Sequence, residues 1–178
     1  MFDKLFSGVI SIAMMLFSSF EGNKPVFTEP EVLFKQNKLI IKTQLINAFE
    51  NDFEKIFKSG NEVQVYFDLK LKYKDRVIFR KEYIHSVTFD PLHQDYSINL
   101  EERNARHSPS SYQKMLELVS KFELELDNRL PNEVDLTLEA YLKNLKLEIM
   151  DKECDLMLLW RYNRPKLKKT LYKTLYEN

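Results

Sequence analysis

Hydrophobic and polar positions alternate most cleanly between Glu62 and Tyr73. Val63, Val65, Phe67, Leu69, Leu71 and Tyr73 fall on one side of an extended chain, and Gln64, Tyr66, Asp68, Lys70 and Lys72 on the other. Successive side chains of a strand point to opposite faces, so this spacing predicts a strand with one buried and one wet face, as in an antiparallel sheet. Lys74-Asp75-Arg76 makes a short turn. Val77 to Phe89 then returns with Val77, Phe79, Tyr83, His85, Val87 and Phe89 in phase, which predicts a long hairpin. Asp90-Pro91 breaks it, since an aspartate accepts nearby backbone N–H groups and a proline fixes φ. Tyr96, Ile98 and Leu100 alternate in a shorter strand. Upstream, Val32–Phe34 and Lys38–Ile46 predict two strands joined at Gln36-Asn37, or one long bent strand. Downstream, Val134, Leu136, Leu138 and Ala140 alternate, and Leu145, Leu147 and Ile149 form a further apolar stretch. Asp155–Tyr162 predicts the last strand, with helix as the alternative.

Two segments follow a helical period instead. Asn47 is positioned as an N-cap with Glu50 three residues on, as a capping box requires. Phe49, Phe53, Ile56 and Phe57 then share one helix face, and Gly60 supplies a left-handed stop. Ser108-Pro109 opens the second helix, with serine as cap and proline at the first helical position. Its stripe is Tyr112, Met115, Leu116, Val119, Phe122 and Leu126, and Leu130-Pro131 ends it. The pattern predicts an α+β domain over residues 32–163: an antiparallel sheet of about five to seven strands with two amphipathic helices. A β-sandwich with helical insertions is the alternative.

The two ends depart from this pattern. Leu5 to Phe20 (LFSGVISIAMMLFSSF) carries no charge and follows Lys4. An apolar run behind a positive start is what a secretory signal presents, and the run is short of the roughly 20 apolar residues that cross a bilayer. Residues 1–20 are therefore expected to be a signal peptide or membrane anchor, and a buried first helix is the competing reading. Phe17 and Phe20 spoil the small-residue cleavage frames, so the segment is able to stay on as an anchor. Residues 21–31, with Pro25 and Pro30, read as an extended linker. At the other end, residues 164–178 read as a basic tail with Arg164, Lys166, Lys168, Lys169 and Lys173. Leu167, Leu171 and Leu175 recur every four residues there, which fits a short basic helix. The tail is either a solvated, frayed end or a contact for anionic lipid headgroups or an acidic partner.

Composition narrows the chemistry. The chain of 178 residues holds 27 basic and 27 acidic residues, 44% hydrophobic residues, one cysteine and three glycines. Balanced charge argues against a general nucleic-acid binder. Glycine is absent from any phosphate-cradling pattern, so no nucleotide cofactor is expected. Cys154 sits between Glu153 and Asp155, which raises rather than lowers a thiol pKa, and it reads as structural. His85, His93 and His107 are the only histidines, with no helical ligand spacing among them. His85 is in phase with a buried strand face. His93 shares a turn with Asp90 and Asp95, the one grouping that suggests a weak divalent site. No metal, cofactor or catalytic residue is assigned. Glu101-Glu102 and Glu123-Glu125 read as solvated carboxylates.

Three stretches, LIIKTQLINAFENDFEKIFKSGNEVQVYFDLKL, FDPLHQDYSINL and SYQKMLELVSKFELEL, lie within residues 38–130. In them a strand, a helix ending in Ser-Gly, a long hairpin and a Phe89-Asp90-Pro91-Leu92 turn before Tyr96 follow one another. In that order the chain resembles an uncharacterised bacterial family of exported proteins, domain of unknown function 4390. The resemblance implies export and transfers no activity. The expected function is a non-enzymatic periplasmic or membrane-tethered interaction or structural module of the cell envelope, an accessory part of an envelope or motility assembly. An envelope protein is the expected partner, with the membrane engaged by the N-terminal segment. Tyr66, on the wet face of the best strand, and Lys166, Lys168 and Lys169 are the candidate contacts. The alternatives are a carrier holding a lipid or other apolar ligand against the phenylalanine-rich face, and a hydrolase whose residues converge only in the fold.

Overall fold

A computed structural model of the protein describes residues 22–35, 38–51, 53–127, 130–147 and 152–173. The apolar segment at residues 5–20, together with Leu175 and Tyr176, lies outside the described residues. Among the described residues the fold is mostly antiparallel sheet with two short helices.

The larger sheet has six strands in the order β12-β9-β4-β5-β6-β7. Its centre is the hairpin of β4 (Val63–Tyr73) and β5 (Arg76–Asp90), as the alternation predicts. Lys74 and Asp75 link them with φ of 45° and 63°. A two-residue hairpin turn of this hand asks for positive φ at both central positions, here without glycine. A bulge where Leu71 pairs Phe79 but Lys72 pairs Val77 carries Val77 off the buried phase, and it is 53% exposed. β6 (Asp95–Leu100) and β7 (Ala105–His107) extend one side; β9 (Glu133–Leu142) and β12 (Lys166–Tyr172) extend the other. The smaller sheet centres on β3 (Lys38–Ile46), flanked by β8 (Lys121–Asp127) on one side and by β1 (Val26–Phe27) and β2 (Glu31–Lys35) on the other. β10 (Asn144–Leu147) and β11 (Lys152–Asp155) form a separate hairpin.

The inner faces of the two sheets share one core. Phe67 of β4 meets Phe122 of β8 at 5.2 Å between ring centroids and Phe27 of β1 at 6.3 Å. Helix α1 (Phe53–Phe57) and helix α2 (Tyr112–Ser120) pack against this core beside each other, the Phe57 and Tyr112 rings 6.4 Å apart. Phe49, Phe53, Ile56 and Phe57 are all buried. Phe49 packs on Phe53, Phe57 and Trp160 with centroids 5.3, 5.5 and 6.1 Å apart.

Five expectations change. Asn47 is not an N-cap: its φ is 56°, and α1 begins only at Phe53. The Ala48 carbonyl that a helix would use internally accepts instead from the Trp160 indole at 2.8 Å and the Asn23 amide at 2.9 Å. The second helix is shorter than its stripe. It is capped by Ser111 rather than Ser108 and gives way at Lys121 to β8. Phe122, Leu124 and Leu126 also alternate with Glu123 and Glu125, and the strand places Glu123 opposite Lys42 on β3.

Asp155–Tyr162 is not one strand. Asp155 accepts from the Met157 amide at 2.9 Å and caps a 3₁₀ turn over Leu156–Trp160. Leu156, Met157, Leu159 and Trp160 are buried there, a run too continuous for a strand with one wet face.

The linker is part of the fold. Asn23 is 2% exposed, its N–H donates to the Leu159 carbonyl at 2.8 Å, and Val26–Phe27 pair with Leu45–Ile46. The basic tail is likewise a strand, β12, along β9, with Leu167 and Leu171 buried. A repeat of four residues is two strand periods as well as about one helical turn, and here the strand period wins because β9 offers an open edge.

Candidate functional site

The outward side of the six-stranded sheet carries an ordered layer of aromatic and charged groups. Tyr66 of β4 and Tyr141 of β9 are direct cross-strand partners, stacked with centroids 5.1 Å apart and planes 17° from parallel. Lys143 holds its ammonium 3.8 Å from the Tyr66 ring centre, and the Arg164 guanidinium lies 4.9 Å from that of Tyr141. Both are cation–π contacts. The Tyr66 hydroxyl donates to Gln64 and the Tyr141 hydroxyl to Glu82. Burial, and then the Glu82 carboxylate, hold the Tyr141 phenol well above its ordinary pKa, so it stays a donor. Beside the stack, Arg80 grips Asp68 through two bonds of 3.1 and 2.8 Å. The Arg80 bond, working against burial, keeps the Asp68 carboxyl below its usual range.

Of the four residues singled out as contacts, Tyr66 lies at the centre of this layer but is only 4% exposed. Lys143 and Tyr141 cover it, so it supports the surface rather than forming it. Lys166 pairs with Glu139 and Lys169 with Glu29. Lys168 is exposed on β12. The three lysines do not form a free basic tail. They line the outer strand of the sheet, where charge discourages further strand pairing.

Asp90 and His93 are brought together, with His93 Nδ1 2.7 Å from Asp90 Oδ2. The Asp90 carboxylate also accepts from the Leu92 and His93 amides at 2.7 and 3.2 Å. These bonds pull the Asp90 carboxyl down and push the His93 imidazole up. The pair is an exposed turn, with side chains 75% and 43% accessible, not a cleft. Among the described residues no group of three or more His, Cys, Asp or Glu side chains is placed to hold a metal ion.

A second pair escaped sequence reasoning. Glu102, read as solvated, has a fully buried side chain in a 3₁₀ turn over Glu101–Arg103, and its Oε2 lies 2.7 Å from His85 Nε2. His85 Nδ1 lies 2.8 Å from the Val119 carbonyl oxygen. A carbonyl oxygen only accepts, so Nδ1 carries a proton. The short contact at Nε2 needs one more, shared with Glu102. Burial raises the Glu102 carboxyl, but the His85 hydrogen bond and charge, aided by Arg103, outweigh it and leave the group below its ordinary value. The Glu102 carboxyl is thus held toward its charged form by the His85 contact. Arg103 Nε completes it, donating to Glu102 Oε1 at 3.1 Å. Burial, and then the Glu101 and Glu102 carboxylates, push the neighbouring Tyr83 phenol up to about 12. The one signal in the sequence was a histidine in phase with a buried face, which requires partners.

A groove of about 310 Å³ runs along Gln44–Glu50 and the Gln113–Ser120 side of α2. Among the described residues no helix is long and apolar enough to cross a membrane. Comparison of the chain with models of known protein families, with curated proteins and with solved structures found no match in any of the three.

Proposed function

We propose that the protein is a non-enzymatic interaction module of the bacterial cell envelope, periplasmic and held at the inner membrane by its apolar N-terminal segment. Its partner is an envelope protein met through the outward face of the six-stranded sheet, as suits an accessory part of an envelope or motility assembly. The resemblance to the exported family of unknown function supports the compartment. The observation that carries the contact is the Tyr66–Tyr141 stack with Lys143 and Arg164 set over its rings. Aromatic and arginine side chains of this kind are enriched where proteins meet, and here they are held in fixed positions before any partner arrives, which lowers the entropy lost on binding.

The carrier alternative loses support, because the phenylalanine face that would hold an apolar ligand is filled by Phe49, Phe53, Phe57 and Trp160 packed on each other. As to fold, the meeting of Phe67 with Phe27 and Phe122 across two sheets favours the sandwich description.

The test is photo-cross-linking of the full chain in its host's membranes. A photoreactive residue at Thr137, on the outward face of β9, is expected to give a discrete protein adduct that Tyr141→Ala weakens. One at Lys114, on α2, is expected to give none. Equal labelling from both positions, or no adduct from Thr137, overturns the assignment of this face.

A further inference from the structure

The apolar run ends at Phe20, and the fold locks the chain at Asn23. The Asn23 N–H donates to the Leu159 carbonyl at 2.8 Å. Its side chain donates to the Ala48 and Glu50 carbonyls at 2.9 and 3.3 Å and accepts from Asn51 at 2.9 Å. Gly22 lies against Arg161 so closely that an added Cβ would stand 2.3 Å from Arg161 Cγ. Three residue steps reach at most about 10 Å even when fully extended. Whatever the apolar run enters therefore lies within about that distance of the Leu156–Arg164 turn.

That turn is built unlike the rest of the surface. Trp160 and Leu159 point into the core, while Leu158 is 39% and Tyr162 61% exposed. Arg161 and Tyr162 both hold positive φ, at 50° and 58°. The turn is pinned by the Tyr162 and Asn163 amides, which donate to the Met157 and Trp160 carbonyls at 2.8 Å each. Lys24, Arg161 and Arg164 are exposed at the same end. Among the nearby acids, Asp155 accepts from the Met157 amide and lies against the Tyr162 hydroxyl, and Glu50 is exposed. An apolar residue and a tyrosine set among cations is the composition that settles at the headgroup level of a bilayer, where each basic residue adds about 1 kcal/mol on an anionic surface.

We infer that this end of the body, Gly22–Lys24 with the Leu156–Arg164 turn, rests on the membrane surface, with Leu158 and Tyr162 among the headgroups and Lys24 and Arg161 against anionic lipid. This rests on the tether reading above and adds an orientation to it. β9 runs from Leu142 at this end to Glu133 at the other, nine steps or about 30 Å. The Lys74-Asp75 turn is then carried away from the membrane and the strands stand upright on it.

The experiment uses the full chain reconstituted with vesicles of phosphatidylethanolamine and phosphatidylglycerol carrying a headgroup nitroxide. A fluorophore is attached at Leu158→Cys or, separately, at Asp75→Cys. Native Cys154 is buried and does not compete for the label. Trp160, the single tryptophan and fully buried, reports that each variant is folded. Tyr162→Cys serves as a second label should Leu158→Cys fail to fold. The expected result is strong quenching at position 158 or 162 and none at 75. A vesicle-bound protein whose labels are quenched alike overturns the orientation and leaves the tether standing. A folded protein that floats free of the vesicles overturns the tether, and the orientation with it.

Discussion

Glu102 shows how one buried charge ties three elements together. Its carboxylate takes hydrogen bonds from His85 on β5 and from Arg103, and His85 in turn donates to the last turn of α2. Removing one partner of a buried ion pair leaves the other desolvated and unpaired, which costs about 3 kcal/mol or more. Glu102→Ala is expected to lower unfolding stability by about that amount, measured by urea denaturation at neutral pH. The same group sets a pH dependence. Its folded-state pKa lies below its ordinary 4.5, chiefly because the His85 bond and charge overcome the raising effect of burial. The stability it contributes is present above pH 4.5 and is lost as pH falls through the lower folded value. Urea midpoints should therefore fall more steeply in the parent than in Glu102→Ala as the pH is lowered below 4.5. Equal slopes would remove Glu102 as the cause. Nothing in the sequence marked this carboxylate: Glu101 and Glu102 look alike, and only the 3₁₀ turn decides which of them points inward.

Among the elements, β8 separates what packing contributes from what charge contributes. Phe122 is fully buried and touches Phe67, Tyr83 and His85. Glu123, the next residue, pairs at 2.7 Å with Lys42, but both side chains are about two-fifths exposed. Large-to-small changes in a close-packed core cost about 3–5 kcal/mol for phenylalanine, whereas an exposed pair contributes under about 1 kcal/mol. Phe122→Ala is expected to approach the unfolding limit, and Glu123→Gln to shift the urea midpoint by little. A comparable loss from the two would mean that β8 is held by its charges.

Here the reading of the chain was ambiguous for a physical reason. Met115, Val119 and Phe122 follow the helical period, and Phe122, Leu124 and Leu126 the strand period, so one unbroken stripe spans a helix and a strand. The switch at Lys121 is set by β3, which pairs its buried Leu39 and Ile41 with Leu126 and Leu124. That information lies about eighty residues away. The β4–β5 hairpin needed no distant partner, since its alternation and its turn sit side by side, and it formed as expected.

At the scale of the whole molecule the two chain ends decide where the body stops. The strongly alternating middle was legible because each strand carries its own pattern. The linker and the basic stretch are strands instead: proline and lysine are common in loops too, and burial of Asn23, Pro25, Leu167 and Leu171 depends on neighbours far along the chain.

Truncation after Asn163 separates a strand from a tail. If residues 164–173 were an appendage, their loss would leave the thermal transition untouched. In this structure β12 runs beside β9 from Lys166–Glu139 to Tyr172–Glu133. The cut exposes the β9 edge and strips cover from Val134, Leu136 and Leu138. It also removes Leu167 and Leu171, each a buried side chain whose loss costs about 2–3 kcal/mol. Those two residues alone amount to about 5 kcal/mol, the low end of what holds a domain of this size together. The truncated chain is thus expected to lose its cooperative melt in circular dichroism and to associate through the bared edge of β9. A truncated protein that stays monomeric with an unchanged melting temperature would return these residues to the status of a tail.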